Sequence, residues 1–314
     1  NMRTIAAIVA IVAASANAGK YHHGPCFQKA PEHLRTESVV SPRPQDYLKA
    51  EDIPSSYDLR DVINALGAQT PISRNQHIPH YCGSCWAHAT TSALSMRLSL
   101  MRGGHFPEID LSPQFLLDCD QVDQACYGGD YPTALKFLQE NDAVSETCNR
   151  YVAQGWYKTG RKCQSTKSGG NGFSNCYTCS PGAGCAPVTT YQPYKIAEYG
   201  EIKGSQPDTV KNMMAEIYAR GSIMVSIAVT DAFENYTGGV FVDPTGATTA
   251  EHAVTLDGFG TDENGVDYWI GRNSWGSWWG EDRGWFRMKR GVNTLGVESN
   301  GAWWGVIANQ TEKF

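Results

Sequence analysis

QHIPHYCGSCWAHATTSA, residues 76–93, sets Cys82 and Cys85 on either side of a Gly-Ser pair, ahead of an apolar run with helical spacing. The spacing admits three chemistries: a dithiol–disulfide couple, half of a zinc site, or one reactive thiol beside a structural neighbour. A redox couple of this kind follows an apolar strand in a βαβ unit, whereas ISRNQHIPHY, residues 72–81, is polar and broken by proline. Zinc ligands are within reach in His77, His80, Cys82, Cys85 and His88. However, no second C-x-x-C stands at zinc-finger distance, and Cys176-Tyr-Thr-Cys179 belongs to a later cysteine-rich stretch. Neither a metal nor an organic cofactor is expected.

The single-thiol reading finds its partners. Cys85 opens the helical run, so its sulfur faces the positive end of the helix dipole, which favours a thiolate. Such a thiol needs an imidazole to take its proton and a group to hold that imidazole. His252 begins the strand-like HAVTLDGFG, and Asn273 ends the strand-like segment that follows Asp262-Glu263-Asn264-Gly265, a good hairpin turn. The midpoint of His252 and Asn273 falls in that turn, so a hairpin brings the two near register. A lone histidine or asparagine carries little weight; the joint arrangement with Cys85 carries it.

Outward from this stretch, the remaining pattern reads as two halves. Trp86, Ala89, Ala93, Met96 and Leu100 fall on one helical face, and Gly103-Gly104 supplies a stop. Ser112-Pro113 starts a second helix, and residues 132–138 fit a third. Residues 148–187 are rich in Gly, Ser and Cys and read as irregular loops pinned by disulfides. Beyond a short helix in VKNMMAEIYARG, the period changes to that of strands in IMVSIAV, HAVTLDGFG, VDYWIG and GWFRMK. A helical first half and a strand-rich second half imply an α+β fold with two lobes.

Met2-Arg3 precedes IAAIVAIVAA, too short to span a bilayer, and Ala16-Asn17-Ala18 is a small-x-small cleavage pattern. Residues 1–18 therefore read as a secretory signal peptide. Secretion turns the ten cysteines into a disulfide framework and makes Asn235 and Asn309, each in an N-x-T triplet, glycan acceptors. Residues 19–52, polar and with the single Cys26, are too short for a core of their own and read as a pro-segment or an arm on the domain. The net charge of −6 is too mild to point to nucleic acid or an anionic membrane as partner, and no later segment is a membrane span.

Gln76, C-G-S-C-W-A-H at 82–88, C-x-G-G at 126–129, H-A-V from His252 and R-N-S-W-G-x-x-W-G from Arg272 together resemble the papain-like cysteine proteases. The resemblance spans nearly all of residues 53–314, in order. The inserted His77-Ile78-Pro79 and the short pro-segment with one cysteine are similar to the cathepsin X (cathepsin Z) branch, whose members are lysosomal or secreted carboxypeptidases. The resemblance implies a helical left lobe, a β-rich right lobe and a cleft between them. By the same resemblance, Cys85 is the nucleophile, His252 its base and acid, and Asn273 the orienting amide under Trp275. The Gln76 side chain and the Cys85 N–H form the oxyanion hole, and Gly128-Gly129 offer bare backbone to an extended substrate.

His77 on the inserted loop is the expected clamp for a substrate's terminal carboxylate, since a histidine's unperturbed pKa of about 6.5 makes it cationic in an acidic vesicle. Tyr81 is expected to add a hydrogen bond or packing. Cys26 bound to Cys85 caps the nucleophile until reduced, and the implied remaining pairs are Cys82–Cys126, Cys119–Cys163, Cys148–Cys176 and Cys179–Cys185. The implied partners are peptides or proteins with a free C-terminus and the protein's own propeptide, on a monomer. Some features depart from the family. No cysteine follows Cys185, Leu59 replaces a usual tryptophan, GGDYP at 128–132 is closer to ordinary endopeptidases, and the tail from Asn300 with Trp303-Trp304 matches no family motif. An endopeptidase or dipeptidase without a clamp, or a catalytically silent secreted binding protein, are the alternatives.

Overall fold

The computed structural model describes residues 25–159, 176–180, 182 and 184–309. The segment 1–18, the start of the arm at 19–24 and Cys163 lie outside the described residues. Among the described residues ten strands follow in chain order. The first five are β1 (Tyr57–Asp58), β2 (Tyr177–Ser180), β3 (Gly184–Pro187), β4 (Ile196–Ile202) and β5 (Ile223–Ile227). The others are β6 (Val240–Phe241), β7 (His252–Thr261), β8 (Asp267–Arg272), β9 (Trp285–Lys289) and β10 (Ala302–Ile307). Eight of them form one sheet in the order β4-β10-β5-β7-β8-β9-β6, with β1 also on β7, while β2 and β3 pair apart as a hairpin.

The helices Cys85–Met101, Pro113–Cys119 and Tyr131–Asn141 build the other lobe. Pro113–Cys119 starts as its sequence asks: Ser112 Oγ accepts from the Phe115 N–H at 3.1 Å, and proline takes the first helical position. The Cys85–Met101 helix departs from the one-faced pattern. It is buried on every side through most of its length, because it runs between the lobes. Trp86, Ala89 and Ala93 pack into the helical-lobe core, and Met96 into the core behind the sheet. A helix wedged between two layers has no polar face to show.

Two further segments differ from expectation. Residues 148–187 contain a single-turn helix, Trp156–Thr159, and the β2–β3 hairpin, whose facing residues Cys179 and Cys185 are disulfide-bonded. The tail with Trp303-Trp304 is β10, paired along one edge with β4 and along the other with β5. Both tryptophans are buried, Arg35 lies over the Trp303 ring at 5.3 Å and Arg220 over Trp304 at 4.0 Å. β7 and β8 form the expected hairpin, with Asp262 Oδ1 accepting from the Asn264 and Val266 N–H groups to close the turn. Asn273 stands one residue past β8 rather than within it.

The arm is laid along both lobes. Asp130, fully buried, pairs with the Arg35 guanidinium and accepts the Ala30 N–H at 2.8 Å. Farther on, Glu198 on β4 accepts the N–H groups of Val40 and Ser41 at 2.8 and 2.9 Å. Among the described residues no helix is long and apolar enough to cross a membrane. Asn235 and Asn309 are both exposed.

Candidate active site

The N-terminus of the Cys85–Met101 helix meets the start of β7 at the junction of the lobes. Cys85 and His252 are both buried there, and the sulfur of Cys85 is bonded to that of Cys26. Cys26 Sγ lies 3.3 Å from His252 Nδ1, and His252 Nε2 lies 2.7 Å from Asn273 Oδ1. Since Asn273 Oδ1 only accepts, the proton of a neutral ring belongs on Nε2 and the lone pair of Nδ1 faces the sulfurs. Asn273 Oδ1 also accepts from the Ser274 N–H at 2.8 Å, which fixes the amide's orientation. Trp275 stacks on the His252 ring, centroids 4.7 Å apart, and covers this bond.

Burial pushes His252 down to about 4; the Asn273 bond opposes the shift, and nearby His77 adds to it. A disulfide carries no charge, so the locked state offers no anion to stabilise an imidazolium. The ring is therefore neutral over the mildly acid range while Cys26 caps Cys85.

Gln76 is wholly buried beside the sulfurs. Its Oε1 accepts from Ser274 Oγ at 2.7 Å, which turns Nε2 toward Cys82 O at 3.2 Å and Cys26 Sγ at 3.8 Å. Its backbone is held too: the Gln76 N–H donates to Ser274 O, and the Tyr151 hydroxyl donates to Gln76 O at 2.6 Å. Ser274 and Tyr151 were not singled out by sequence. Ser274 sits inside R-N-S-W-G and could have been found from it, whereas Tyr151 lies in the cysteine-rich stretch, where no periodicity marks it.

The inserted loop follows directly. The His77 N–H donates to Asn75 Oδ1 at 2.9 Å, and the His77 ring stacks on Tyr81 with centroids 4.4 Å apart and planes within 9°. His77 is half-buried and Tyr81 exposed at the cleft mouth. The five residues first weighed as zinc ligands do not converge. Cys82 is bonded to Cys126, His80 is exposed, and His88 turns into the helical lobe, Nδ1 3.1 Å from Ser84 O and its ring edge-on to Tyr151. Burial holds His88 down to about 3.

Gly128 and Gly129 form the opposite wall, and the arm occupies it. Gln28 N–H donates to Gly129 O at 3.0 Å, Gly129 N–H to Cys26 O at 3.3 Å, and Phe27 N–H to Glu251 O at 2.9 Å. The buried Phe27 ring stacks on Tyr131 at 5.1 Å. A side chain on Gly129 has no room: its Cβ would stand 2.7 Å from the Trp86 ring and 2.8 Å from Asp123 Oδ1. Gly129→Ala should accordingly lose about 1–3 kcal/mol of stability, read as a lowered Tm in thermal unfolding; an unchanged Tm would show that the wall yields.

Of the other bridges, Cys148–Cys176 and Cys179–Cys185 are formed, and Cys119 is disulfide-bonded, its expected partner Cys163 lying outside the described residues.

With a thiol at a helix start, an amide-held histidine and a cleft between a helical and a β lobe, the chain belongs to the papain family of cysteine proteases, whose family profile, described as "Papain family cysteine protease", it matches over residues 53–303. It is 40% identical to "Cathepsin Z" of Onchocerca volvulus over 239 residues, covering 76% of this chain and 71% of the relative. It is 32% identical to "Cathepsin B-like CP2" of Giardia intestinalis over 265 residues, 84% of this chain and 78% of the relative. Among solved structures, digestive procathepsin L 3 of Tenebrio molitor larval midgut superposes with a TM-score of 0.63 at 26% identity, over 90% of this chain and 76% of that one.

Proposed function

We propose that this cysteine protease is a carboxypeptidase that removes single residues from the C-termini of peptides and proteins. The observation that carries the reading is the His77–Tyr81 stack, set by the inserted loop beside Gln76 at one end of the cleft. A cation there recognises a terminal carboxylate one residue beyond the scissile bond and closes the cleft to longer chains.

The proposed chemistry begins once Cys26 is gone. The Cys85 thiol gives its proton to His252 Nδ1, and Nε2–H goes on donating to Asn273 Oδ1. The thiolate attacks the scissile carbonyl, and the oxyanion accepts from Gln76 Nε2 and the Cys85 N–H. His252 Nδ1–H protonates the leaving amine, then takes a proton from the water that hydrolyses the thioester. Gly128 and Gly129 receive the substrate backbone where the arm now lies.

The same reading makes residues 1–18 a secretory signal, 19–52 a pro-segment and 53–314 the peptidase. It places the protein in an acidic vesicle or outside the cell, with glycans on Asn235 and Asn309. The Cys26–Cys85 bond blocks the nucleophile, and reduction followed by removal of the arm releases it.

The test uses one peptide as its free acid and as its C-terminal amide, offered at about pH 5 with reductant to the processed enzyme. Loss of one residue from the acid alone is expected. In His77→Ala, kcat/KM for the acid should fall about 10- to 100-fold, as for a hydrogen bond to a charged group, with little change for any endopeptidase substrate. Equal cleavage of acid and amide would leave an endopeptidase and discard the clamp.

A further inference from the structure

The arm brings a second sulfur to the histidine, and three side-chain atoms able to ligate a metal meet there. Cys26 Sγ, Cys85 Sγ and a ring nitrogen of His252 lie within 4.8 Å of one another, all on buried residues. In the oxidised chain the two sulfurs are joined and cannot bind a metal. We propose that when a thiol reductant opens this disulfide while the arm is still docked, Cys26, Cys85 and His252 form a zinc site that keeps the proenzyme latent.

The electron and proton balance is simple. The reductant's two thiols become its disulfide, and its two electrons and two protons convert Cys26–Cys85 into two thiols. Zn²⁺ then takes both as thiolates, and two protons leave to solvent. Two thiolates neutralise the dication, so the buried site carries no net charge.

The geometry suits the ion. Zinc bonds of about 2.3 Å to sulfur and 2.0–2.1 Å to imidazole nitrogen put tetrahedral ligands roughly 3.5–3.8 Å apart. Cys26 Sγ and His252 Nδ1 are already 3.3 Å apart. The sulfurs must separate, and the Cα atoms at 5.9 Å leave room for that by side-chain rotation. The surroundings are those of a metal-binding histidine: Nε2 is held by Asn273 Oδ1 at 2.7 Å, fixing the tautomer that aims Nδ1 at the sulfurs. Gln76 Nε2, 3.8 Å from Cys26 Sγ, supplies a donor to a metal-bound thiolate.

The arm does not depend on the disulfide alone. The backbone bonds of Phe27 and Gln28, the Phe27–Tyr131 stack, the Arg35–Asp130 pair and the Glu198 contacts to Val40 and Ser41 all persist when the sulfurs part. Zinc then occupies both Cys85 and His252 and clamps Cys26 between them. The effect on activity rests on the catalytic reading given above; metal binding itself does not.

The experiment uses the intact chain carrying the arm, reduced mildly by a phosphine until two thiols can be alkylated, and titrated with Co²⁺ and then Zn²⁺. The expected result is one Co²⁺ per chain with a sulfur-to-cobalt charge-transfer band and tetrahedral d–d bands, both lost on adding Zn²⁺. The unreduced chain, already folded, should show neither. Cys26→Ser and His252→Ala should each weaken Zn²⁺ binding at least about 100-fold. Absence of the band in the reduced chain, or a parent-like Zn²⁺ affinity in either variant, overturns the site. Hydrolysis by metal-free processed enzyme is measured separately. A chain that binds Zn²⁺ through these residues yet never cleaves peptide would sink the catalytic reading and leave the metal site standing.

Discussion

Cys85→Ala in the processed enzyme should lower kcat/KM at least about 10⁴-fold, the scale on which removal of a catalytic nucleophile acts in related hydrolases. The expectation rests on the division of labour in the cleft. Gln76, Gly129 and the His77 loop remain, so peptide still binds, but nothing is left to form the thioester. His252→Ala should fall to a similar level, and the double variant scarcely lower, because a thiol and its base act as one unit. Steady-state hydrolysis of a single peptide across the three variants measures this. Residual activity within about 100-fold of the parent would move the nucleophile elsewhere. The unprocessed Cys85→Ala chain carries a separate signature: Cys26 loses its partner and becomes alkylatable without reductant.

For Gln76→Ala the expected loss is about 10²–10³ in kcat, that of one oxyanion-hole donor, with KM little changed. The side chain is unusually well placed for a difference measurement. Ser274 Oγ fixes its Oε1, so Nε2 alone faces the sulfurs. Gln76→Glu keeps the shape but turns an acceptor toward the buried Cys82 O, so kcat should fall at least as far and the Tm should fall with it. A Gln76→Ala enzyme with undiminished kcat would mean that the Cys85 N–H suffices for the oxyanion. Stopped-flow acylation separates that outcome from a change in product release.

The lobes, the cleft and the meeting of Cys85, His252 and Asn273 were legible because each left a local mark: a helix start at the second cysteine of C-G-S-C, a strand from His252, a turn before Asn273. What the sequence hid depends on packing across the chain. The one-faced reading of the Cys85–Met101 helix failed because apolar spacing cannot tell a face turned to solvent from one turned to a second layer, and Met96 lies on the far side. β10 was missed since Trp303-Trp304 resembles no family motif, though alternating bulk and a final Val-Ile are ordinary strand signals. Tyr151 and the Arg35–Asp130 pair are contacts between distant segments, and no pattern within either segment records them. The junction of Cys26 with His252, 226 residues away, is of the same kind.

The position of β10 also bears on how the protein is made. It enters the sheet between β4 and β5, though residues 302–307 follow the other described strands in the sequence. While a ribosome is still translating β9, β4 and β5 cannot join through their missing neighbour, and both present unpaired edges. β7, which carries His252, is paired to β5 and inherits that unfinished sheet. A nascent or prematurely terminated chain can therefore form its helical lobe early, yet it completes the sheet behind the histidine only when the segment around Trp303 has emerged. Maturation of the cleft therefore waits for synthesis of the segment around Trp303, and a product truncated before it is an open-edged substrate for chaperones and quality control rather than a stray protease.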